Sequence, residues 1–468
     1  MALSPEEQLV QLDNQLQARQ RELRKLDAYY EGEQPLKYMA PALEAEFGGR
    51  IAQVVINWPQ MVADAYESRL DVTGFRWPDS GDDDDDEAAD EADADLMGIW
   101  QDNGMEEQSQ QAHLETIVLG GSYAIVGHAV SDGAPPLITV EHPTQCITAQ
   151  DPATRKDRAG LKRYKGDDKL ARAALYLPNE NRYYRRSRKW EEIVDERVEH
   201  GLGEPLMVRL LNRGRMLRDF GKSEFASILN LADAANKMAT DMMVSGEFHA
   251  TPRRWLFGMA ESDFVDENGR SLNRWQQVAG QIWSTEKHPD EVKTGQFPES
   301  DLQVFHNTIR ALAQLVAQLA ALPPHYMSFS TDNPASADAI RSSEAQLVKR
   351  VERKQTSLGA SWRQVMRLAL RLRDGDFDPR ARRMEVVWRD ASTPTVAQAA
   401  DAAVKKYTSK ITTLQQTRED LQYTPRQIRR MRAEDEAADA RSPAARLAQS
   451  TLALADRRAG EPADADGA

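Results

Sequence analysis

The chain has 468 residues, more than one hydrophobic core usually organises, so two to four domains are expected. Hydrophobic residues make up 41% and charged residues 29%, ordinary for a folded soluble protein. A formal net charge of −14 argues against gripping DNA by phosphate neutralisation, which takes a basic excess. The single cysteine, Cys146, excludes an internal disulfide framework and a Cys-cluster zinc site, and reads as a buried apolar filler.

The N-terminal Met1-Ala2-Leu3-Ser4-Pro5 has no basic or apolar signal region. The most apolar stretch, Ile309 to Leu322, is too short for a bilayer and is interrupted by Gln314 and Gln318. A soluble protein made in a reducing cytoplasm is expected.

In chain order, residues 4–30 predict a helix. Ser4, Pro5 and Glu7 form a capping box, and Leu9, Leu12, Leu16, Leu23, Leu26 and Tyr30 recur at spacings of three and four around Arg19. A second helix is predicted from Pro59 to about Leu70, with Asn57 near its start. Residues 79–95 carry eleven acidic side chains and no basic one; such a run repels itself, so a solvated or disordered loop is expected. It lacks the glycine and ligand spacing of a calcium loop.

From Tyr123 to Leu211 short alternating runs separated by turn residues predict an antiparallel sheet. Arg155 to Lys189 holds thirteen Lys or Arg against four Asp or Glu, interleaved with Tyr164, Tyr176, Tyr183 and Tyr184. Nucleic acid is one reading of that pattern. The other is the wet face of a sheet meeting an acidic neighbour.

Beyond Gly221 the chain turns helical. Ser223 is expected to cap a helix to about Glu247 that ends at Pro252, and Ser300 one that stops at Pro323-Pro324. Asn333-Pro334 opens a helix to about Arg373, with Ile340, Leu347, Val348, Val351, Leu358, Trp362, Val365, Met366 and Leu370 on its apolar face and a kink expected at Gly359. A short strand follows at 384–388, then Ala- and charge-rich helix.

Catalytic signatures are absent on inspection. Gly221-Lys222-Ser223 resembles the end of a phosphate-binding loop, but Met216 stands where the required glycine belongs, so a turn and cap is the simpler reading. In Gly120-Gly121-Ser122-Tyr123-Ala124, Ala124 replaces the last glycine of a nucleophile elbow, leaving a helix end turning into a strand. The eight histidines never stand four apart. No enzyme and no cofactor are expected.

Five segments, taken in order, resemble the portal proteins of siphophages infecting actinobacteria and other Gram-positive hosts. They are Asp27 to Leu36; Asn57 to Arg76 with its Val-Ala-Asp, Glu-Ser-Arg-Leu and Gly-Phe-Arg elements; Gly221 to Met238; Ser300 to Met327; and Asn333 to Gln355. The resemblance spans roughly residues 25–440, and the acidic insert at 79–95 departs from it.

It implies an α+β, predominantly α-helical portal fold. Residues 1–220 form N-terminal helices and a mixed α/β wing, 221–250 the first stem helix, 251–299 the clip and 300–322 the second stem helix. A tunnel loop at 323–334, a long wing helix and strand at 335–390, a helical crown at 391–458 and a disordered tail at 459–468 complete the chain. The implied role is a dodecameric ring at the unique capsid vertex, a component of the virion assembled in the host bacterial cytoplasm. Implied partners are double-stranded DNA passing through without sequence reading, the terminase large subunit, major capsid protein and scaffold, and head-completion or adaptor proteins; no membrane is involved. His325, Tyr326, Met327, Phe329 and Asn333 are the candidate channel residues, and Arg253, Arg254, Lys287, His288 and Lys293 the candidate clip surface. A scaffold or other capsid-associated structural protein is the alternative, although scaffolds lack a mixed sheet region.

Overall fold

The computed structural model describes residues 3–35, 37, 54–78, 86–131, 133–216, 218–250, 254–257, 282–285, 287–291, 301–327, 337–375, 378–392, 396–421, 423 and 425–440. Two units partition the chain, the first taking 1–89 and 95–391, the second 392–468 with 90–94.

Helix α1 (Pro5–Glu31) opens with the expected capping box: the Glu7 N–H donates to Ser4 Oγ at 3.2 Å, and the Ser4 N–H to Glu7 Oε2 at 2.8 Å. It ends on Gly32, whose left-handed φ of 75° suits a residue without a β-carbon. Its seam serves two cores. Leu9, Leu12 and Leu16 pack on a sheet, whereas Leu23, Leu26 and Tyr29 enter the main core. Tyr29, not Tyr30, takes the last buried position. Arg19 interrupts the seam by lying over the Phe220 ring, 3.8 Å from its centroid.

Helix α2 (Trp58–Glu67), capped by Asn57, leads into β1 (Val72–Arg76). The acidic run corrects an expectation. Its second half is helical, the start of α3 (Asp86–Asp102), while 79–85 lies outside the described residues. Alanines alternate with the acids, carboxylates favour a helix N-terminus, and Leu96, Ile99 and Trp100 bury the far end.

Helix α4 (Met105–Leu119) ends at Gly120, φ 88°, and the chain turns at once into β2 (Gly121–Gly127), as anticipated. Then come β3 (Leu137–Glu141), β4 (Cys146–Gln150), β5 (Asp157–Lys165), β6 (Ala171–Tyr176), β7 (Glu180–Arg186), β8 (Trp190–Glu192), β9 (Val198–Glu199) and β10 (Met207–Leu211). All their pairings are antiparallel: β10-β2-β3 form one sheet and β4 through β8 a meander, with β9 against β7. The predicted sheet is therefore present. Ile147, Leu161, Ala173 and Leu175 pack on the first half of α1. The basic run meets acids: Arg163 and Arg186 reach Asp13 of α1 at 2.9 and 3.7 Å, and Arg182 pairs with Glu180 and Glu192 at 2.8 and 3.4 Å.

Helix α5 spans Leu229–Ala250, and strands β11 (Arg254–Phe257) and β12 (Ile282–Thr285) pair in parallel. Ser223 is no cap. The helix starts six residues later, and the Ser223 hydroxyl is buried without a hydrogen-bond partner. Helix α6 (Leu302–Ala320) is capped by Asp301, whose carboxylate accepts the Gln303 N–H at 2.8 Å; Ser300 lies outside the described residues. Helix α7 (Ala337–Asp374) has 38 residues, about 57 Å at the standard rise, and runs through Gly359 without a break. Gly359 instead admits Trp388, whose Nε1 would stand 3.2 Å from a β-carbon there. Strand β13 (Glu385–Trp388) pairs with β1. Trp100 meets Phe75 and Trp362, each at a centroid distance of 5.1 Å, at the centre of the main core.

The second unit holds α8 (Val396–Thr408), α9 (Leu414–Asp420) and α10 (Pro425–Ala440). Lys406–Asp420 at 3.0 Å and Arg418–Asp435 at 2.5 Å tie them together. The expected tail at 459–468 lies outside the described residues.

Candidate channel loop and helix pair

Helices α5 and α6 pack on each other. Ala232, Ala235 and Ala239 of α5 are buried, as are Ala313, Val316, Ala317 and Ala320 of α6. These three α5 alanines are therefore covered within one chain. The outward face of α6 carries Val304, Leu315 and Leu319, exposed by 59, 47 and 47%. No Asp or Glu occurs in α6.

Helix α6 stops where two prolines remove the next donors. Ala321 turns left-handed at φ 54°, and the Leu322 N–H donates to Ala317 O at 2.9 Å. The end is held from outside: Tyr66 Oη of α2 donates to Ala320 O at 2.6 Å, and Arg350 of α7 to Leu319 O at 3.1 Å. These bonds satisfy carbonyls that a helix terminus leaves open, and Arg350 adds the charge that end favours.

Pro324–Met327 then forms one 3-10 turn, closed by Tyr326 N–H donating to Pro323 O at 3.1 Å. The His325 side chain is 46% exposed, with Nε2 3.8 Å from Glu344. Tyr326 is half-buried, and its hydroxyl accepts from Arg69 at 3.1 Å. Met327 is buried and packs with the core. Phe329 and Asn333 lie outside the described residues.

Of the clip candidates, Lys287 and His288 are exposed, with His288 Nδ1 3.2 Å from Asp290; the backbone of Arg254 lies in β11, while Arg253 and Lys293 lie outside the described residues. Among the described residues no cluster of His, Cys, Asp or Glu could hold a metal, and no helix is long and apolar enough to cross a membrane.

Two buried polar sites escaped the sequence reading. Before α5, the fully buried Glu224 accepts from Lys354, from Asn212 at 3.1 Å and from Arg213 at 2.5 Å. Burial pushes its carboxyl up, but Lys354 and Arg213 outweigh that and hold it below the ordinary range. In the main core His113 donates from Nδ1 to Leu70 O at 2.9 Å and accepts at Nε2 from Trp362 at 2.8 Å. Burial lowers its pKa to about 4, so it stays neutral and structural.

A model of the family described as phage portal protein, SPP1 Gp6-like, matches residues 10–441. The chain belongs to that family. Its curated relatives include the portal proteins of Mycobacterium phages D29 and L5. Both are 34% identical, over 88 and 87% of this chain and 85 and 84% of theirs. Among solved structures, a chain of the virion of a native gene transfer agent particle aligns at TM-score 0.42 and 12% identity, covering 85% of this chain and 98% of that one. A neck of the native particle, computed with C12 symmetry, gives 0.41 and 12% over the same shares. The expected portal identity and mixed, largely helical portal fold therefore hold, and a phage portal function is favoured over a scaffold. Portal proteins are structural components of the virion.

Proposed function

We propose that the portal works as a closed ring around double-stranded DNA, with α5 and α6 as its stem, 251–299 as its clip, 323–334 as its channel loop and 391–458 as its crown. The uncovered face of α6 carries this reading. Val304, Leu315 and Leu319 leave apolar surface in water on a helix without a carboxylate, in a chain with 29% charged residues. A neighbouring copy, related by a rotation that closes, covers such a stripe on every subunit. Net charge of −14 suits a wall along which DNA slides. His325 is the described channel candidate, with Phe329 and Asn333 further along the loop. Arg253, Arg254, Lys287, His288 and Lys293 remain the clip candidates for docking the terminase large subunit during packaging and head-completion or adaptor proteins afterwards. Major capsid protein and scaffold would surround the ring at the vertex, assembled in the host cytoplasm, and the family resemblance implies a dodecamer.

The test is twofold. Negative-stain microscopy of the purified chain should show rings, and Leu315→Glu with Leu319→Glu should yield folded monomers. Deleting 328–333, which spares the buried Met327 and the Tyr326 contact, should leave rings intact and impair genome packaging or retention. Normal packaging in that deletion removes the loop from the mechanism.

A further inference from the structure

Arg69 lies in the turn just after α2, in the Glu67-Ser68-Arg69-Leu70 run, and its side chain is only 4% exposed. A buried guanidinium needs partners for its donors. Nη1 donates to Ala391 O at 2.8 Å; Nη2 donates to Tyr326 Oη at 3.1 Å and to Glu344 Oε1 at 3.3 Å. The Arg69 carbonyl accepts from Gln355 Nε2 at 3.3 Å, and the same amide donates to Arg389 O at 3.0 Å. One residue therefore ties together the end of α2, the turn after α6, two positions on α7 and the chain at 389–391. Tyr66 and Arg350 fasten the last carbonyls of α6 to the same two helices.

The geometry points to Arg69 as the positioning residue of the channel loop, the clamp that fixes where the loop leaves the fold; this rests on the reading of 323–334 as that loop. Pro323 to Met327 then moves with α2 and α7 as one body. The planar, multi-donor fork is essential, because a lysine ammonium cannot reach Ala391 O, Tyr326 Oη and Glu344 from one position. His325, 3.8 Å from Glu344, sits at the edge of the same carboxylate and does not replace the guanidinium.

The experiment is hydrogen–deuterium exchange on the full chain in its assembled state, comparing wild type with Arg69→Lys and the nearly isosteric Tyr326→Phe. The protected amides at the root are those of Leu322 and Tyr326. Arg69→Lys should speed their exchange by about 10-fold and Tyr326→Phe by a smaller factor, the scale expected for losing one or two buried hydrogen bonds. Amides of α1 and of β5 and β6 should not change. Unchanged root exchange in Arg69→Lys overturns the clamp. So does an increase that spreads to α1 and the sheet, since Arg69 would then only support the core. Faster exchange confined to the root upholds it, even if deleting 328–333 leaves packaging normal; that second result would sink only the channel reading.

Discussion

The pair Glu224–Lys354 offers the sharpest energetic test. Glu224 is fully buried and Lys354 nearly so, and they join the lead-in to α5 with the middle of α7. Glu224→Gln keeps the shape but leaves two cations, Lys354 and Arg213, around a neutral amide. Removing one partner of a buried pair costs about 3–5 kcal/mol, and this substitution should fall in the upper half, since both cations lose their carboxylate. Lys354→Met should cost less, about 2–3 kcal/mol, because Arg213 and Asn212 still hold Glu224. Combining Glu224→Leu with Lys354→Met removes the charge problem, while Arg213, with a third of its side chain exposed, can turn to water. The double variant should therefore recover to within about 2 kcal/mol of wild type, since neither charge is left buried without its partner. Urea titrations followed by tryptophan fluorescence at constant protein concentration provide the midpoints. A loss below about 1 kcal/mol for Glu224→Gln, or a double variant no better than that single one, would refute the reasoning.

Other outcomes follow from the same contacts. His113 is held at a pKa of about 4, below the unfolded value of 6.5, so the unfolded chain takes up the proton first. Stability should be full above about pH 6.5 and fall by roughly 3 kcal/mol as pH drops towards 4, then level off with respect to this group; a His113→Gln variant whose acid profile matches wild type would contradict this. A β-carbon at Gly221 would collide with the carbonyl oxygens of Gly120 and Asn212, so Gly221→Ala should lower soluble yield or cost on the order of 3 kcal/mol. Gly246→Ala meets nothing within 4 Å on α5 and should raise stability by about 0.5–1 kcal/mol in the same urea titration.

Local rules carried far into this fold. Ser4, Pro5 and Glu7 identify the start of α1, and Pro323-Pro324 the stop of α6, because capping and ring closure depend on neighbours within one turn. Alternation between 123 and 211 disclosed the sheet for the same reason. Ser223 misled because the five residues after it are committed elsewhere: Glu224 must face Lys354, while Phe225 and Ile228 enter the core, so helix formation waits until Leu229. The acids of α3 misled in the opposite direction, since the apolar anchor at Leu96, Ile99 and Trp100 lies downstream of the charges. Arg69 appeared only as one letter of a family-like run. Its partners at 326, 344 and 391 are hundreds of residues away, and no periodicity carries that information.

Cys146 is wholly enclosed beneath the sheet, and burial pushes its thiol well above the ordinary range, so it stays protonated and out of reach of thiol reagents. Maleimide chemistry thus begins from a silent background. A cysteine introduced at the exposed His325 becomes one dye per subunit without any prior cysteine removal. Counting bleaching steps on a single ring, or measuring transfer between adjacent dyes, turns the native sequence itself into the control.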